Sequence, residues 1–216
     1  MYKRFDTQCT CIMYRIIPAL EKCTPNPTMN TMKRLVLLSA TDRPSSKALE
    51  IAGYLKKKFE QAGAYPEIVS LEDYPLELVA GGRYGADIPG VAAFNERVIS
   101  ADGVVFIVPE YNGSFPGILK MFIDYLPFPE AFRNLPLAFV GEASGAFGAL
   151  RAVEHLQQIC GYRNALMFPE RVFIQRVNQN FHKDTGIADA KTNEFLENMV
   201  RNFTEFVSEY RHAELV

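Results

Sequence analysis

The feature that most constrains the fold is a repeated alternation of short apolar runs with segments of helical spacing. The run Leu35–Ser39 has the length of a strand, and apolar residues between Ala48 and Ala62 then recur at helical intervals until Gly63. Residues 103–108 form the clearest buried strand, which Pro109 is expected to end. This alternation is typical of an α/β fold, in which helices join the strands of one sheet.

The same two patterns, short apolar runs and apolar residues at helical spacing, assign the remaining elements. We predict a weaker second strand over residues 66–71 and a loop over residues 73–89, which are rich in Gly, Pro and Tyr. The other predictions are a helix faced by Val91, Phe94 and Val98, a helix over 116–126 with Pro116 in its first turn, a fourth strand over 137–140, a helix over about 146–160 with Cys160 as a buried apolar residue at its end, a fifth strand over 172–174, and a long final helix lined by Phe195, Met199, Phe203, Phe206 and Tyr210.

Five buried strands with helical connections are expected to lie parallel, because each crossover has to be right-handed. The commonest order for five such strands is 2-1-3-4-5, a doubly wound sheet with helices on both faces. In such a sheet a ligand binds beyond the carboxyl ends of the strands, at the switch point between the first and third strands.

Charge and composition exclude several function classes. The 216 residues carry 23 Lys and Arg against 25 Asp and Glu, a net charge of −2, so we expect no nucleic-acid partner. With 48% apolar and 22% charged residues, the chain has the composition of a globular domain that needs no disulfide framework or structural metal. Cys9 and Cys11 alone are a weak metal signal, and no His, Cys or carboxylate cluster recurs at zinc-ligand spacing.

Residues 1–31 are predicted to be a leader or a disordered extension, and residues 32–216 to be the domain. The apolar stretch near the start is interrupted by Arg15 and Pro18, which makes a poor signal peptide, and nothing approaches the roughly 20 apolar residues of a membrane span. We therefore expect a cytoplasmic protein with no membrane partner. Deleting residues 1–31 is expected to leave folding and activity intact.

The loop after the first strand suits a phosphate. Residues 39–47 place hydroxyl groups and two cations, Arg43 and Lys47, directly before a helix, whose first N–H groups and positive dipole end attract anions. Helix capping by Ser45 or Ser46 is the alternative. The chain lacks both the P-loop pattern and G-x-G-x-x-G, so a phosphate here would belong to a mononucleotide.

Two further loops fall on the same edge of the predicted sheet. In residues 109–117, Asn112 and Gly113 permit positive φ angles, while Tyr111 and Phe115 offer flat apolar surface to a planar heterocycle. The alternative is a turn with shielding aromatic rings. Residues 141–148 are small and glycine-rich, which suits either close approach to a bound ring or a tight strand-to-helix turn.

Residues 109–120, P-E-Y-N-G-S-F-P-G-I-L-K, with I-D-Y at 123–125, resemble a segment of the flavodoxin-like NAD(P)H-dependent FMN reductases, the family of azoreductases and quinone or chromate reductases. The first loop is similar to that family's S-G-S-x-R-x-x-S-x-N pattern, with Ala40 and Ala48 in place of its glycine and asparagine. Ser45 and Lys47 are hypothesised to compensate for this loss. Residues 168–170 resemble the family's proline-bearing turn before the last strand.

The resemblance implies bound FMN, NADPH or NADH as co-substrate, and ping-pong hydride transfer to flavin, quinone, azo or oxyanion acceptors, with no catalytic acid–base side chain. It also implies a homodimer or homotetramer in which Tyr84, Phe115 or Tyr111 closes over the partner's flavin. The cofactor-binding residues that it implies are Thr41, Arg43, Ser45, Ser46, Lys47, Ala48, Pro109, Glu110, Tyr111, Asn112, Gly113, Ser144 and Gly145.

Three other functions are weighed against a reductase. A hydrolase is disfavoured because the chain has no G-x-S-x-G elbow and because His155, inside a predicted helix, is expected to be structural or exposed. A flavodoxin-type electron carrier shares the fold and cofactor, and steady NAD(P)H consumption would distinguish it. A flavin-less interaction module stays open because Ala48 lacks the amide of the family's asparagine.

Overall fold

A five-stranded parallel sheet forms the centre of the part of the chain that the structure describes. The computed structural model describes residues 33–210, and the predicted leader, residues 1–31, lies outside them. The strands follow the order β2-β1-β3-β4-β5, and every neighbouring pair is parallel, which confirms the predicted topology. The strands are β1 (Leu35–Ser39), β2 (Glu67–Ser70), β3 (Gly103–Pro109), β4 (Pro136–Glu142) and β5 (Leu166–Ile174).

Helices cover both faces of this sheet, each burying an apolar stripe. The helices are α1 (Lys47–Gln61), α2 (Leu76–Val79), α3 (Pro89–Ile99), α4 (Gly117–Asp124), α5 (Leu150–Tyr162), α6 (Val177–Asn180) and α7 (Ala190–Glu209). One face of the sheet packs against α1 and α7, and the other against α3, α4 and α5. No helix in the described range combines the length and apolar character needed to cross a bilayer.

Several predicted boundaries were wrong. The stretch 73–89 is not all loop, because it contains α2, and Pro116 precedes α4 as its N-cap residue. Residues 146–149 form a turn, so α5 begins at Leu150 and not at about residue 146 as predicted. After β5 the chain forms α6 and a small antiparallel pair, β6 (Phe181–His182) and β7 (Gly186–Ile187). These elements were not predicted because the sequence shows no strong apolar pattern there.

Strand β5 differs most from its prediction. It begins at Leu166, so residues 168–170 lie within the strand and do not form a turn before it. The register with β4 shifts between Met167 and Arg171, and Pro169 lies inside this irregularity. Proline is tolerated there because it is on an edge strand and interrupts no regular ladder.

The buried face of α7 was also only partly predicted. Leu196, Met199, Val200, Phe203 and Val207 are its buried residues, whereas Phe195 is 50% exposed. The position of Cys160 in α5 is as predicted, because its side chain is buried and burial raises the pKa of its thiol to about 12.

Candidate functional site

The three loops meet at the carboxyl edge of the sheet. Strands β1 and β3 pair up to Ser39 and Ile107, and strands β3 and β4 pair up to Pro109 and Glu142. The loops that follow these three strands therefore emerge side by side, where parallel sheets bind ligands.

Thr41 connects the first loop to the second. Its side chain is buried, and its Oγ1 lies 2.8 Å from the hydroxyl group of Tyr111. The same oxygen accepts a hydrogen bond from the backbone N–H of Arg43 at 3.2 Å. These two predicted site residues, Thr41 and Tyr111, are thus brought into direct contact.

The N-terminus of α1 keeps donors for an anion even though it is capped. Ser46 is the N-cap residue, and its Oγ accepts from the N–H of Leu49 at 3.1 Å, so the capping alternative holds for Ser46. Ser45 is exposed with a φ of 51°, and Arg43 is exposed as well. The N–H groups of Lys47 and Ala48, in the first turn, have no acceptor within the helix.

Lys47 and Ala48 differ in what their side chains can offer a ligand. The Nζ of Lys47 lies 2.6 Å from Oε2 of Glu50, an ion pair that holds the cation beside the helix start. The methyl group of Ala48 is buried in the core, so this residue can contact a ligand only through its backbone.

Residues 111–114 form a two-residue hairpin turn. Tyr111 and Ser114 exchange two backbone hydrogen bonds of 2.8 and 3.1 Å, and Asn112 and Gly113 both have positive φ, as the sequence predicts. Positive φ at both central residues is the mark of a type I′ turn. A Cβ built on Gly113 would meet nothing within 4 Å, so the turn faces open space.

Two side chains of α5 contact this turn and the residue before it. Arg151 contacts Oε1 of Glu110 at 3.2 Å, and Nδ1 of His155 lies 3.1 Å from Oγ of Ser114. His155 is exposed and lies in α5, which agrees with its prediction. These two contacts connect the turn and the residue before it to α5.

The third loop is shorter than predicted, because Gly141 and Glu142 belong to β4. A Cβ on Gly141 would collide with the carbonyl oxygen of Gly148, and a Cβ on Gly148 would collide with the backbone of Phe173. Tight packing therefore explains these two glycines. Gly145 has open space around it, and Oγ of the exposed Ser144 accepts a hydrogen bond from Asn178 at 3.2 Å.

Two other aromatic residues, Tyr84 and Phe115, were predicted to close over a partner's flavin. Each packs against another part of the structure. Tyr84 is 57% exposed and packs on Tyr125, with 4.8 Å between ring centroids. Phe115 is half-buried and packs against the core on the α3, α4 and α5 face.

Glu142 is the site residue that the sequence reasoning missed. It ends β4, is only 7% exposed, and burial raises the pKa of its carboxyl group to about 7, against the opposing attraction of Lys47 and Arg43. A carboxylate directly after an apolar strand was the available signal. Small residues on both sides of it suggested only a turn.

The site can be compared with known proteins. A family model described as NADPH-dependent FMN reductase matches residues 32–179. The chain belongs to this family. It is therefore a flavin-dependent oxidoreductase, with FMN as the expected cofactor and NAD(P)H as the expected co-substrate.

Individual relatives agree with the family. This reductase is 30% identical over 180 residues to an NAD(P)H-dependent FMN reductase from Pseudomonas aeruginosa, covering 76% of this chain and 97% of the relative. It is 30% identical over 151 residues to a quinone reductase from Escherichia coli, covering 68% and 79%. Among solved structures, it is similar to a flavoenzyme NAD(P)H:(acceptor) oxidoreductase from Paracoccus denitrificans, with a TM-score of 0.68, 25% identity, and coverage of 81% and 97%.

The residues of this reductase fit FMN at the edge described above. The free N–H groups of α1 and the cations Arg43 and Lys47 suit the phosphate. The open turn 111–114 and the space at Gly145 leave room for a planar ring. Glu142, a buried acid at the same sheet edge, carries a charge that opposes this assignment when it is ionised.

Proposed function

We propose that this chain passes reducing equivalents from NADPH or NADH, through FMN, to a small-molecule acceptor in a ping-pong cycle. When bound, FMN supplies the redox chemistry by accepting a hydride at N5 and releasing two electrons to the acceptor. The protein's part is then to hold the cofactor, to leave one ring face open, and to admit the two substrates in turn.

The residues divide this work between them. The N–H groups at the start of α1, with Arg43 and Lys47, bind the phosphate. Backbone groups of residues 110–113 would hydrogen-bond the ring edge, and Ser144 and Gly145 would hold the ring from the third loop. Thr41 is a positioning residue, because its Oγ1 is already engaged by Tyr111 and by the N–H of Arg43.

The observation that carries this proposal is the hydrogen bond between Thr41 and Tyr111. It holds the loop that precedes α1 and the turn 111–114 beside each other at one sheet edge. A phosphate attached to a planar heterocycle, which is a mononucleotide, matches that combination.

The first test is an absorbance spectrum of the protein after FMN addition and desalting, followed by anaerobic NADPH. We expect a flavin band that the protein retains and that NADPH bleaches. Loss of the flavin on desalting, together with no fluorescence change in an FMN titration, would contradict the proposal and favour an interaction module. Bleaching without steady NAD(P)H consumption by any acceptor would favour an electron carrier.

The kinetic order and the acceptor class are tested together. Initial rates are measured with NADPH or NADH against a quinone, an azo dye, free flavin or chromate. Ping-pong transfer gives parallel lines in double-reciprocal plots for each acceptor that is reduced. Intersecting lines would mean that both substrates bind together, which contradicts this part of the proposal.

We further propose a cytoplasmic homodimer or homotetramer in which Tyr84, Phe115 or Tyr111 borders the partner's site. The support is the 57% exposure of Tyr84, which leaves its ring available to a second copy. Sedimentation velocity is expected to give a dimer or tetramer mass, and a monomer at micromolar concentration would contradict the proposal.

A further inference from the structure

Glu142 lies at the same carboxyl edge of the sheet as the phosphate loop (residues 39–47), two strands away from β1. Successive side chains of a strand alternate between the two sheet faces, so Glu142 shares its face with Ala138 and Val140. Those two residues belong to the core beneath α1 and α7. The carboxyl group therefore lies on the side of the sheet where α1 begins.

This carboxyl group is isolated. Within residues 33–210, no hydrogen bond or ion pair reaches either of its oxygens, although the residue is 7% exposed. The carboxyl oxygens keep slight contact with solvent, but a poorly solvated carboxylate with no partner is still costly in its charged form. The charged groups on the surrounding elements are Asp42 and Arg43 in the first loop, Lys47 and Glu50 in α1, Glu110 after β3, and Arg176 after β5.

Three of these six groups are already engaged in ion pairs. Lys47 is paired with Glu50, and Glu110 is paired with Arg151. Arg43 and Lys47 are the cations that act on Glu142. They are also the cations of the proposed phosphate site. The Glu142 carboxylate and the FMN phosphate would therefore both be attracted to the same two cations.

We propose that the Glu142 carboxylate and the FMN phosphate compete for the positive charges of Arg43 and Lys47. FMN then binds when Glu142 takes up a proton and is released when Glu142 ionises. This inference rests on the proposed FMN site. It assigns to Glu142 a regulatory role in cofactor retention, beyond the reductase activity itself.

The physical reason is the repulsion between a carboxylate and a phosphate dianion in a poorly solvated site. Protonation removes the carboxylate charge and leaves Arg43, Lys47 and the start of α1 to the phosphate. Burial already raises the pKa of Glu142 to about 7, so the proton is available near neutral pH. Above that pH, strict coupling to one proton lowers FMN affinity by up to about tenfold per pH unit.

The test is FMN titration of the apoprotein by flavin fluorescence at pH 6, 7, 8 and 9. Wild type is compared with Glu142→Gln, which is neutral at every pH. Glu96→Gln is the matched control, because it removes an exposed carboxylate on α3, on the other face of the sheet. Ionisation of the FMN phosphate itself is common to all three proteins, so it cancels from the affinity ratios.

We expect Glu142→Gln and wild type to bind FMN equally at pH 6, and the variant to bind at least about tenfold more tightly at pH 9. Glu96→Gln should follow wild type throughout. Riboflavin, which has no phosphate, should show a much smaller difference between the proteins. Equal pH dependence of wild type and Glu142→Gln would overturn the inference while leaving the FMN site intact.

Failure of the FMN site itself gives a different result, since neither protein would then bind FMN at any pH. If Glu142→Gln does not fold, wild-type calorimetry at pH 8 in two buffers of different ionisation enthalpy decides the question. Uptake of about one proton per FMN supports the inference, because the free phosphate is already a dianion at that pH. No proton uptake would overturn it.

Discussion

At the scale of single residues, the contact between Thr41 and Tyr111 holds the site together. Tyr111→Phe removes the hydroxyl group but keeps the ring, and leaves Thr41 Oγ1 with the Arg43 N–H as its remaining partner. We expect the free energy of unfolding to fall by about 1 kcal/mol and FMN affinity to fall with it. Urea unfolding of the apoprotein and FMN titration measure the two effects.

The matched control is Tyr84→Phe, which removes the hydroxyl group of an exposed tyrosine for which no hydrogen bond is found among residues 33–210. Its free energy of unfolding should change by less than about 0.5 kcal/mol. Equal losses in the two variants would show that the Thr41 contact contributes nothing specific.

Glu142 gives a pH-dependence with a definite sign. Because burial raises its pKa from 4.5 to about 7, the folded state holds this proton more tightly than the unfolded state. The resulting stability is fully present below pH 4.5 and is lost as the pH rises through about 7. The apo Glu142→Gln variant should match wild type near pH 4.5 and exceed its free energy of unfolding by up to about 3 kcal/mol at pH 8.

Urea unfolding at both pH values measures this difference, with Glu96→Gln again as the control. A constant gap between wild type and Glu142→Gln across the pH range would contradict the titration and indicate a packing effect. Comparing variants in this way cancels the opposite contribution of Glu67, whose pKa is lowered by Arg97 and Arg34 despite partial burial.

At the scale of elements, the turn between β4 and α5 depends on two glycines. Gly148 has a φ of 56°, and a Cβ there would lie 2.9 Å from the carbonyl carbon of Phe173. Gly148→Ala therefore combines backbone strain with overpacking, and we expect a loss of about 2 kcal/mol or more in the free energy of unfolding. Thermal or urea unfolding measures it.

Gly53→Ala makes the same chemical change with the opposite expected sign. Gly53 lies inside α1 with no atom within 4 Å of a built Cβ, so alanine should stabilise the protein by about 0.5–1 kcal/mol. A destabilised Gly53→Ala, or an unaffected Gly148→Ala, would contradict this account.

Element types were more predictable than element ends. The runs at Leu35 and Gly103 are apolar enough to mark central strands, so their positions and the sheet order followed from the sequence. Strand β5 was missed over half its length because an edge strand alternates exposed and buried residues and here contains Pro169. Phe195 was misassigned because helical spacing from Phe203 does not specify which side of a wide apolar stripe meets the core.

The candidate site was likewise predictable only in part. The positive φ values at Asn112 and Gly113 were predictable, because they follow from the residue types themselves. The contacts of Tyr111 with Thr41, and of Ser114 with His155, join residues far apart in the chain, so no local pattern could reveal them. The burial of Glu142 depends on its strand register and on the helix above it, which are properties of the assembled fold.

At the scale of the whole molecule, residues 33–210 contain the five strands of the parallel sheet and the cores on both of its faces. We therefore expect a variant that begins at Met32 to keep the midpoint of urea unfolding and the FMN affinity of the full chain. Parallel unfolding and FMN titrations of the two proteins measure this. A clear loss of either property would assign residues 1–31 a part in the fold or the site.

The irregular β5 edge has a consequence for how copies of this chain can associate. An exposed edge strand normally offers a row of free N–H and C=O groups on which a second sheet can grow. Pro169 has no N–H to donate, and the register shift beside it bends that row. Continuous sheet extension, and the fibrillar aggregation that follows from it, is therefore disfavoured at this edge, and we expect no homodimer to form by pairing of β5 strands.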